Sequence, residues 1–354
     1  MPRKRKRLVV FLGAGASASV GIPDSRKLAS IIEQESPEYS NRINTIKNRI
    51  QGFGFSFDVE ALLSVLEFWT NPKTAIDETG AFFVEVSNRK SINSFRKHPS
   101  DLNVSKRAKE IIVKECFIND PSKIYDIKQK YTRFFKELHD AFSLANCDPA
   151  GNEPCPPIDV FTTNYDNVIE EYCFANGMTY CDGYREVVGS SRGTYVFDKD
   201  CYADSQKLLR LYKLHGTVTY VRLTNGELRL MPLFPGGDLQ ISGKPAFFDL
   251  IYPGTYRYAT REPQLELLNL LKQNLLSCTG CIIIGYSFRD PNIRQIFKDV
   301  LLGRKKTKQR CKSILVSKEA ERVIAKRGLG SLGIVPVKKK FEELNVKQDV
   351  RRHL

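Results

Sequence analysis

The chain has 354 residues and a formal net charge of +15, with 42% hydrophobic and 27% charged residues. That length allows one large domain or two of ordinary size, with a sizeable core. No uninterrupted apolar run approaches the ~20 residues of a membrane span and the basic N-terminus lacks a secretory leader pattern, so the expectation is a cytoplasmic protein without membrane contact.

Pro2 to Arg7 reads as a basic tail. Leu8 to Leu12 is an apolar run with the length and composition of a buried parallel strand. Gly13, Gly15 and the small residues Ala14, Ala16, Ser17, Ala18 and Ser19 follow. Glycine lets the backbone turn sharply and lets a ligand approach it. A strand running through such a turn into a helix presents N–H groups suited to a pyrophosphate; a tight turn without a ligand is the simpler alternative. The dinucleotide fingerprint GxGxxG is not matched, because Ala18 stands where its third glycine would be, and no acidic residue is evident about 20 residues on.

A helix is expected near Arg26 to Gln34, after which the strand pattern disappears until about residue 155. Asp58 to Trp69 carries apolar residues at helical spacing, and Val104 to Cys116 and Ile124 to Phe142 read the same way. Residues 35–155 are therefore expected to form a helical insertion, with 1–34 and 156–354 forming one α/β domain. After the Pro- and Gly-rich loop Cys147 to Pro157, strands are expected at Ile158 to Thr163, Leu208 to Leu214, Cys281 to Gly285, Lys312 to Val316 and Ile334 to Val337. Helices are expected at about Asp166 to Asn176, Pro263 to Leu276 and Asp290 to Leu302, the last capped by Asp290 with Pro291 in its first turn. Val218 to Leu223 and Glu227 to Met231 flank Thr224-Asn225-Gly226, a hairpin signal. Pro232 to Arg261 reads as irregular. The alternation of helices with continuously apolar strands indicates a parallel sheet with helices on both faces.

Nine cysteines, an odd number, are scattered from Cys116 to Cys311, which reads as reduced intracellular usage. Cys278 and Cys281 form a C-x-x-C, but a structural zinc site needs a second pair, and Cys173 and Cys181 are too far apart to supply it. No metal is expected. Basic clusters at Arg3 to Arg7, Arg304 to Arg310 and Lys338 to Lys340 could contact nucleic acid, anionic nucleotides or an acidic partner, or simply be solvated.

In doubly wound sheets, ligands bind beyond the carboxyl ends of the strands. Those ends offer the glycine turn, Asn164, Asp166, His215 followed by Gly216, Gly285 with Ser287, and Ser317. Of the four histidines only His215 lies at an expected strand end; a His there can act as a general base near neutral pH. Asn164 can donate and accept, which suits a ribose hydroxyl or an ordered water. Against these roles, His215 could serve a turn and Asn164 could cap a helix.

Gly13-Ala-Gly-Ala-Ser17, Gly21-Ile-Pro-Asp24, Thr163-Asn164-Tyr-Asp166 and Leu214-His215-Gly216 together resemble the ordered motifs of the sirtuins, NAD-consuming enzymes with a Rossmann-like fold. Asp58-Val-Glu60-Ala-Leu-Leu63 and Gly285-Tyr-Ser-Phe-Arg-Asp290-Pro-Asn-Ile293 look like motifs of the sirtuin-like domains of prokaryotic anti-phage defence. The resemblance covers roughly residues 8–340 and matches the helical insertion loosely. It implies that Gly13, Ala14, Gly15 and Ser17 hold the pyrophosphate and that Asp24 lines the nicotinamide-ribose region. Asn164 would hold that ribose or the water, Asp166 would shape the carboxamide pocket, and His215 would be the general base. Gly285, Ser287 and Asp290 would contact the adenosine half.

The pattern departs from the deacetylases in three ways: Ser25 replaces their Phe, their zinc module of two C-x-x-C pairs is absent, and the interval from Asn164 to His215 is long. The expectation is therefore an NAD+ hydrolase that releases nicotinamide and gives ADP-ribose, depleting NAD in anti-phage defence. It would work as a homo-oligomer gated by a partner such as a HerA-type ATPase or an Argonaute, with possible DNA contact through the basic clusters. The alternatives are an NAD-dependent protein deacylase or ADP-ribosyltransferase, and a non-catalytic nucleotide-sensing or nucleic-acid-binding module.

Overall fold

The computed structural model describes residues 7–52, 54, 56–70, 98–146, 157–188, 193–204, 207–223, 225, 227–230, 240–241, 244–247, 250, 263–307 and 311–353. Its centre is a seven-stranded, all-parallel sheet. The strands are β1 (Leu8–Leu12), β2 (Ile158–Thr162), β3 (Tyr180–Cys181), β6 (Leu209–Lys213), β11 (Gly280–Ile284), β12 (Lys312–Val316) and β13 (Ile334–Val337). Their order across the sheet is β13-β12-β11-β1-β2-β6-β3.

Side chains of successive strand residues point to opposite faces, and both faces are covered. Leu8, Val10 and Leu12 join Val160, Ile282, Ile284, Ile314 and Val316 in one apolar cluster, while Val9 and Phe11 join Phe161, Ile283 and Leu315 in the other. This double burial is why the strands read as unbroken apolar runs.

Helices Ser25–Glu35, Ser40–Gly52, Val59–Thr70, Asp101–Cys116, Pro121–Asn146 and Val168–Ala175 cover the first face. Helices Gln264–Ser277 and Pro291–Lys306 cover the second. Among the described residues, the helices within 35–155 share one apolar cluster with the sheet. Ile127, Tyr131, Phe134, Phe135 and Leu138 recur at helical spacing along Pro121–Asn146 and belong to the same cluster as the sheet residues.

From β1 the chain builds outward to β2 and β6 on one side, and β11, β12 and β13 extend on the other. The switch point therefore lies at β1 and β11, which pair along their whole length, Leu8 opposite Gly280 to Leu12 opposite Ile284. A crevice opens at the carboxyl ends of such strands.

Beyond the parallel sheet lies an element the sequence reading resolved only in part. A six-stranded antiparallel sheet has the order β4-β5-β8-β7-β10-β9, with β4 (Tyr184–Glu186), β5 (Thr194–Phe197), β7 (Tyr220–Leu223), β8 (Leu228–Leu230), β9 (Gln240–Ile241) and β10 (Lys244–Phe247). The expected hairpin is its β7–β8 pair, although Thr224 and Gly226 of the turn lie outside the described residues. The segment read as irregular contributes β9 and β10, and the rest of it lies largely outside the described residues. A disulfide joins Cys181 to Cys201, correcting the expectation of fully reduced cysteines.

Two further expectations change. Arg304, read as part of a solvated basic cluster, is buried, and its Nη1 donates to the carbonyls of Leu275 and Cys278 at 2.6 Å each. Arg3 to Lys6 and Lys308 to Arg310 of the basic clusters, and the loop Cys147 to Pro156, lie outside the described residues. Among the described residues no helix is long and apolar enough to cross a membrane.

Candidate functional site

The loops after β1, β2, β6 and β11 enclose a cleft of about 350 Å³, within the size range of small-molecule sites. Its lining includes Ala14, Gly15, Ser17, Asp24, Asn164, Asp166, His215, Gly285, Ser287 and Asp290. The site residues read from the sequence meet here except Gly13 and Ser317, which are not among the lining residues.

The glycines act first on each other. A Cβ on Gly13 would lie 2.7 Å from the Gly285 oxygen, and one on Gly15 would lie 2.7 Å from the Gly285 Cα. Gly285 itself has φ +63, the left-handed region that favours glycine. The loops after β1 and β11 are thus in backbone contact. Gly13 N–H donates to the Ile284 oxygen (2.9 Å) and Gly15 N–H to the Gly285 oxygen (3.1 Å). These two amides are already satisfied by backbone oxygens of the neighbouring loop. The expected helix is also only one turn, Ala14–Ser17, continued by the 3-10 turn Ala18–Val20 and stopped by Gly21 at φ 81.

The helix Pro121–Asn146 braces this turn from below. The buried Tyr131 hydroxyl donates to the Ala16 oxygen (3.0 Å) and Lys130 Nζ to the Ser19 oxygen (2.6 Å).

Asn164, just past β2, is held by its amide nitrogen. Nδ2 donates to the Gly13 oxygen (3.1 Å) and to Ser17 Oγ (2.9 Å), and its backbone N–H donates to Thr162 Oγ1 (3.0 Å). None of these bonds uses Oδ1. Ser17 and Asp166 are both buried. Burial pushes the Asp166 carboxyl up, opposed by Lys213 and a hydrogen bond from Ser17. Lys213 Nζ donates to the Asp166 carbonyl and to Glu170 Oε1 (2.8 Å), so a buried cation and carboxylate underlie this wall. Asp166 Oδ1 also accepts from Val168 N–H (3.2 Å) at the start of the helix Val168–Ala175. The sequence reading found neither Lys213 nor Glu170.

His215 follows β6 and is 2% exposed. Its Nε2 lies 3.0 Å from Asp290 Oδ2, itself 2% exposed. Asp290 Oδ1 accepts from Asn292 N–H (2.8 Å) and Ile293 N–H (3.2 Å), so the same carboxylate caps the helix Pro291–Lys306. The resemblance placed Asp290 on an adenosine; here both its oxygens are engaged, one by the helix and one by His215. With Nε2–H donating to the carboxylate, Nδ1 is the atom that would accept a proton.

Asp24 keeps the place the motif gave it at the cleft, and its Oδ1 caps the helix Ser25–Glu35 by accepting from Arg26 N–H (3.0 Å) and Lys27 N–H (2.9 Å). Ser317 is not among the lining residues; its Oγ accepts from Glu319 N–H (3.3 Å), and Glu319 lines the cleft. Glu60 is a lining residue to which the sequence reading gave no role. Burial, then the charge of Asp290, raises its carboxyl to about 7. The signal was present in Asp58-Val-Glu60, a motif noted without a function. Cys278 and Cys281 are buried in the core, and among the described residues no group of three or more His, Cys, Asp or Glu side chains could hold a metal ion.

Residues 159–331 match the family model described as a SIR2-like domain. A comparison with curated proteins gives no match. Among solved structures, a Sir2 homologue–NAD complex aligns over 99% of this chain and 90% of its own, at 15% identity and a TM-score of 0.46. Sir2Tm bound to a propionylated peptide aligns over 96% and 90%, at 10% identity and a TM-score of 0.41. The segment 159–331, which carries Asn164, Asp166, His215, Gly285, Ser287 and Asp290, therefore matches the SIR2-like domain family over just under half of the chain.

Proposed function

We propose that the cleft binds NAD+ and breaks its nicotinamide–ribose bond. The observation that carries this reading is the His215–Asp290 pair facing the same cleft as an Asn164 fixed by Ser17 and Gly13. Departure of nicotinamide leaves an oxocarbenium-like centre at the ribose. Asn164, its nitrogen held by the protein, offers Oδ1 to orient the ribose hydroxyls or the incoming nucleophile. His215, held at Nε2 by Asp290, takes a proton at Nδ1 as the new bond forms. Asp166, Ser17 and the buried Lys213–Glu170 pair keep that wall rigid.

With water as nucleophile, NAD+ and water give ADP-ribose, nicotinamide and a proton. This is the hydrolase reading, and the replacement of the motif's Phe by Ser25 supports it. A second reading, deacylation or ADP-ribosyl transfer, takes an acyl-lysine or another side chain as nucleophile, and the SIR2-like family match favours it more directly than hydrolysis. The role in anti-phage NAD depletion, the homo-oligomer, the HerA-type or Argonaute partner and DNA contact are proposals that rest on the resemblance of Asp58 to Leu63 and Gly285 to Ile293 and on the net charge of +15.

The test is nicotinamide release from NAD+ with and without an acyl-lysine peptide, followed with the acyl group in view. Peptide-independent release supports the hydrolase. Release that needs the peptide and moves its acyl group to ADP-ribose supports the deacylase. Tight NAD+ binding without release supports a sensing module.

A further inference from the structure

We infer that Arg289 is the diphosphate-binding residue of this cleft, flanked by Arg26 and Arg327. The inference rests on the NAD reading and names the part of the site that meets the ligand's two phosphate charges.

Four observations lead to it. First, the amides of Gly13 and Gly15 donate to Ile284 and Gly285, so the glycine turn has fewer free donors for an anion than its sequence suggests. Second, the segment after β11 is shaped to deliver a side chain. Phe288 has φ 52, the only non-glycine residue with positive φ among those described. Such a conformation is strained and persists where the surroundings enforce it. It packs the Phe288 ring, fully buried, against Tyr286 and Phe297, and the next residue, Arg289, lines the cleft.

Third, Arg289 is anchored rather than loose. Its Nη2 donates to Asp58 Oδ2, on a fully buried carboxylate whose Oδ1 caps the helix Val59–Thr70 through Ala61 N–H (3.0 Å). Its Nη1 donates weakly to Ser25 Oγ (3.4 Å). Ser25 is the residue that departs from the deacetylase pattern, so the change opens a polar contact for this guanidinium.

Fourth, cations gather here. Arg26 also lines the cleft, and Arg327 reaches its rim, where Nε donates to the oxygen of the lining residue Ser287 (3.3 Å). Burial, then repulsion from Arg327 and Arg26, brings the Arg289 guanidinium down to about 10 against the opposing charge of Asp24. Three neighbouring guanidiniums, with Arg289 already held in orientation, suit a dianionic diphosphate, which relieves their repulsion and accepts their fork-like donors.

The experiment is calorimetric titration of ADP-ribose and, separately, of adenosine into wild-type protein and into Arg289→Gln, Arg289→Lys and Arg327→Gln, with circular dichroism melts as the check on folding. ADP-ribose should bind wild type, and Arg289→Gln should weaken it about tenfold or more, the size of one lost charged hydrogen bond. Arg289→Lys should fall between, and adenosine should be affected far less than ADP-ribose. If Arg289→Gln does not fold, Arg327→Gln carries the test, with a loss of about threefold for ADP-ribose alone. Equal losses for both ligands, or none, overturn the inference while the NAD reading stands. Failure of wild type to bind ADP-ribose removes both.

Discussion

Asp290→Asn separates the two tasks of one carboxylate. Oδ1 caps the helix Pro291–Lys306 and Oδ2 holds His215 Nε2 at 3.0 Å. Asn caps about as well as Asp, so the substitution keeps the helix start and removes the negative charge from the imidazole. A hydrogen bond to a charged group contributes about 1.5–3 kcal/mol. If that energy is expressed in the step where His215 gains a proton, turnover falls by roughly ten- to a hundredfold, at about 1.4 kcal/mol per decade. Asp290→Ala loses the cap as well, about 1 kcal/mol, and leaves a buried imidazole donor without its acceptor, about 1–3 kcal/mol. It should melt about 3–5 °C below wild type for a chain of this size, whereas Asp290→Asn should melt close to wild type. The assay pairs thermal melts with nicotinamide release. Wild-type turnover in Asp290→Asn would refute the positioning of His215 by Asp290, and equal melting of the two variants would refute the cap.

Glu60 predicts a pH dependence. Its carboxyl is raised from an ordinary value near 4.5 to about 7, so between those values the folded protein holds a proton that the unfolded chain releases. Stability therefore falls as pH rises through that window, by on the order of 2 kcal/mol, and Glu60→Gln should be more stable than wild type at pH 8 but equal to it at pH 4.5. Urea midpoints at the two pH values decide this; a variant no more stable at pH 8 contradicts it. Tyr131→Phe removes one donor to the Ala16 oxygen, which still accepts from Ser19 Oγ (3.1 Å), and should lower stability by about 0.5–1.5 kcal/mol, the net contribution of one hydrogen bond. A denaturation midpoint equal to wild type would show that the helix Pro121–Asn146 does not brace the glycine turn through this bond.

Much of the parallel sheet was legible because its strands are buried on both faces. Lys312–Val316 and Ile334–Val337 fall where the apolar runs put them, and Gly280–Ile284 is offset by one residue. The antiparallel sheet was mostly missed for the opposite reason. Tyr184–Glu186 and Thr194–Phe197 are short and half exposed, and carry no unbroken apolar run.

At the site, strand ends pointed to the residues but not to their partners. His215 and Asp290 are 75 residues apart, Asn164 and Gly13 are 151 apart, and Arg289 and Asp58 are 231 apart. No local spacing encodes such pairs. Charge runs misled where direction mattered: Arg304 sits in a basic cluster yet turns inward to two carbonyls. The positive φ of Phe288 has no sequence signal either, because the residue is not glycine.

The most direct test of the account is nicotinamide release from NAD+ by wild-type, Asn164→Ala and His215→Ala protein, each checked for a wild-type-like circular dichroism spectrum. The account predicts release by wild type and a fall of about two to four orders of magnitude in each variant, the range for a general base. Release at the wild-type rate by both variants would contradict it.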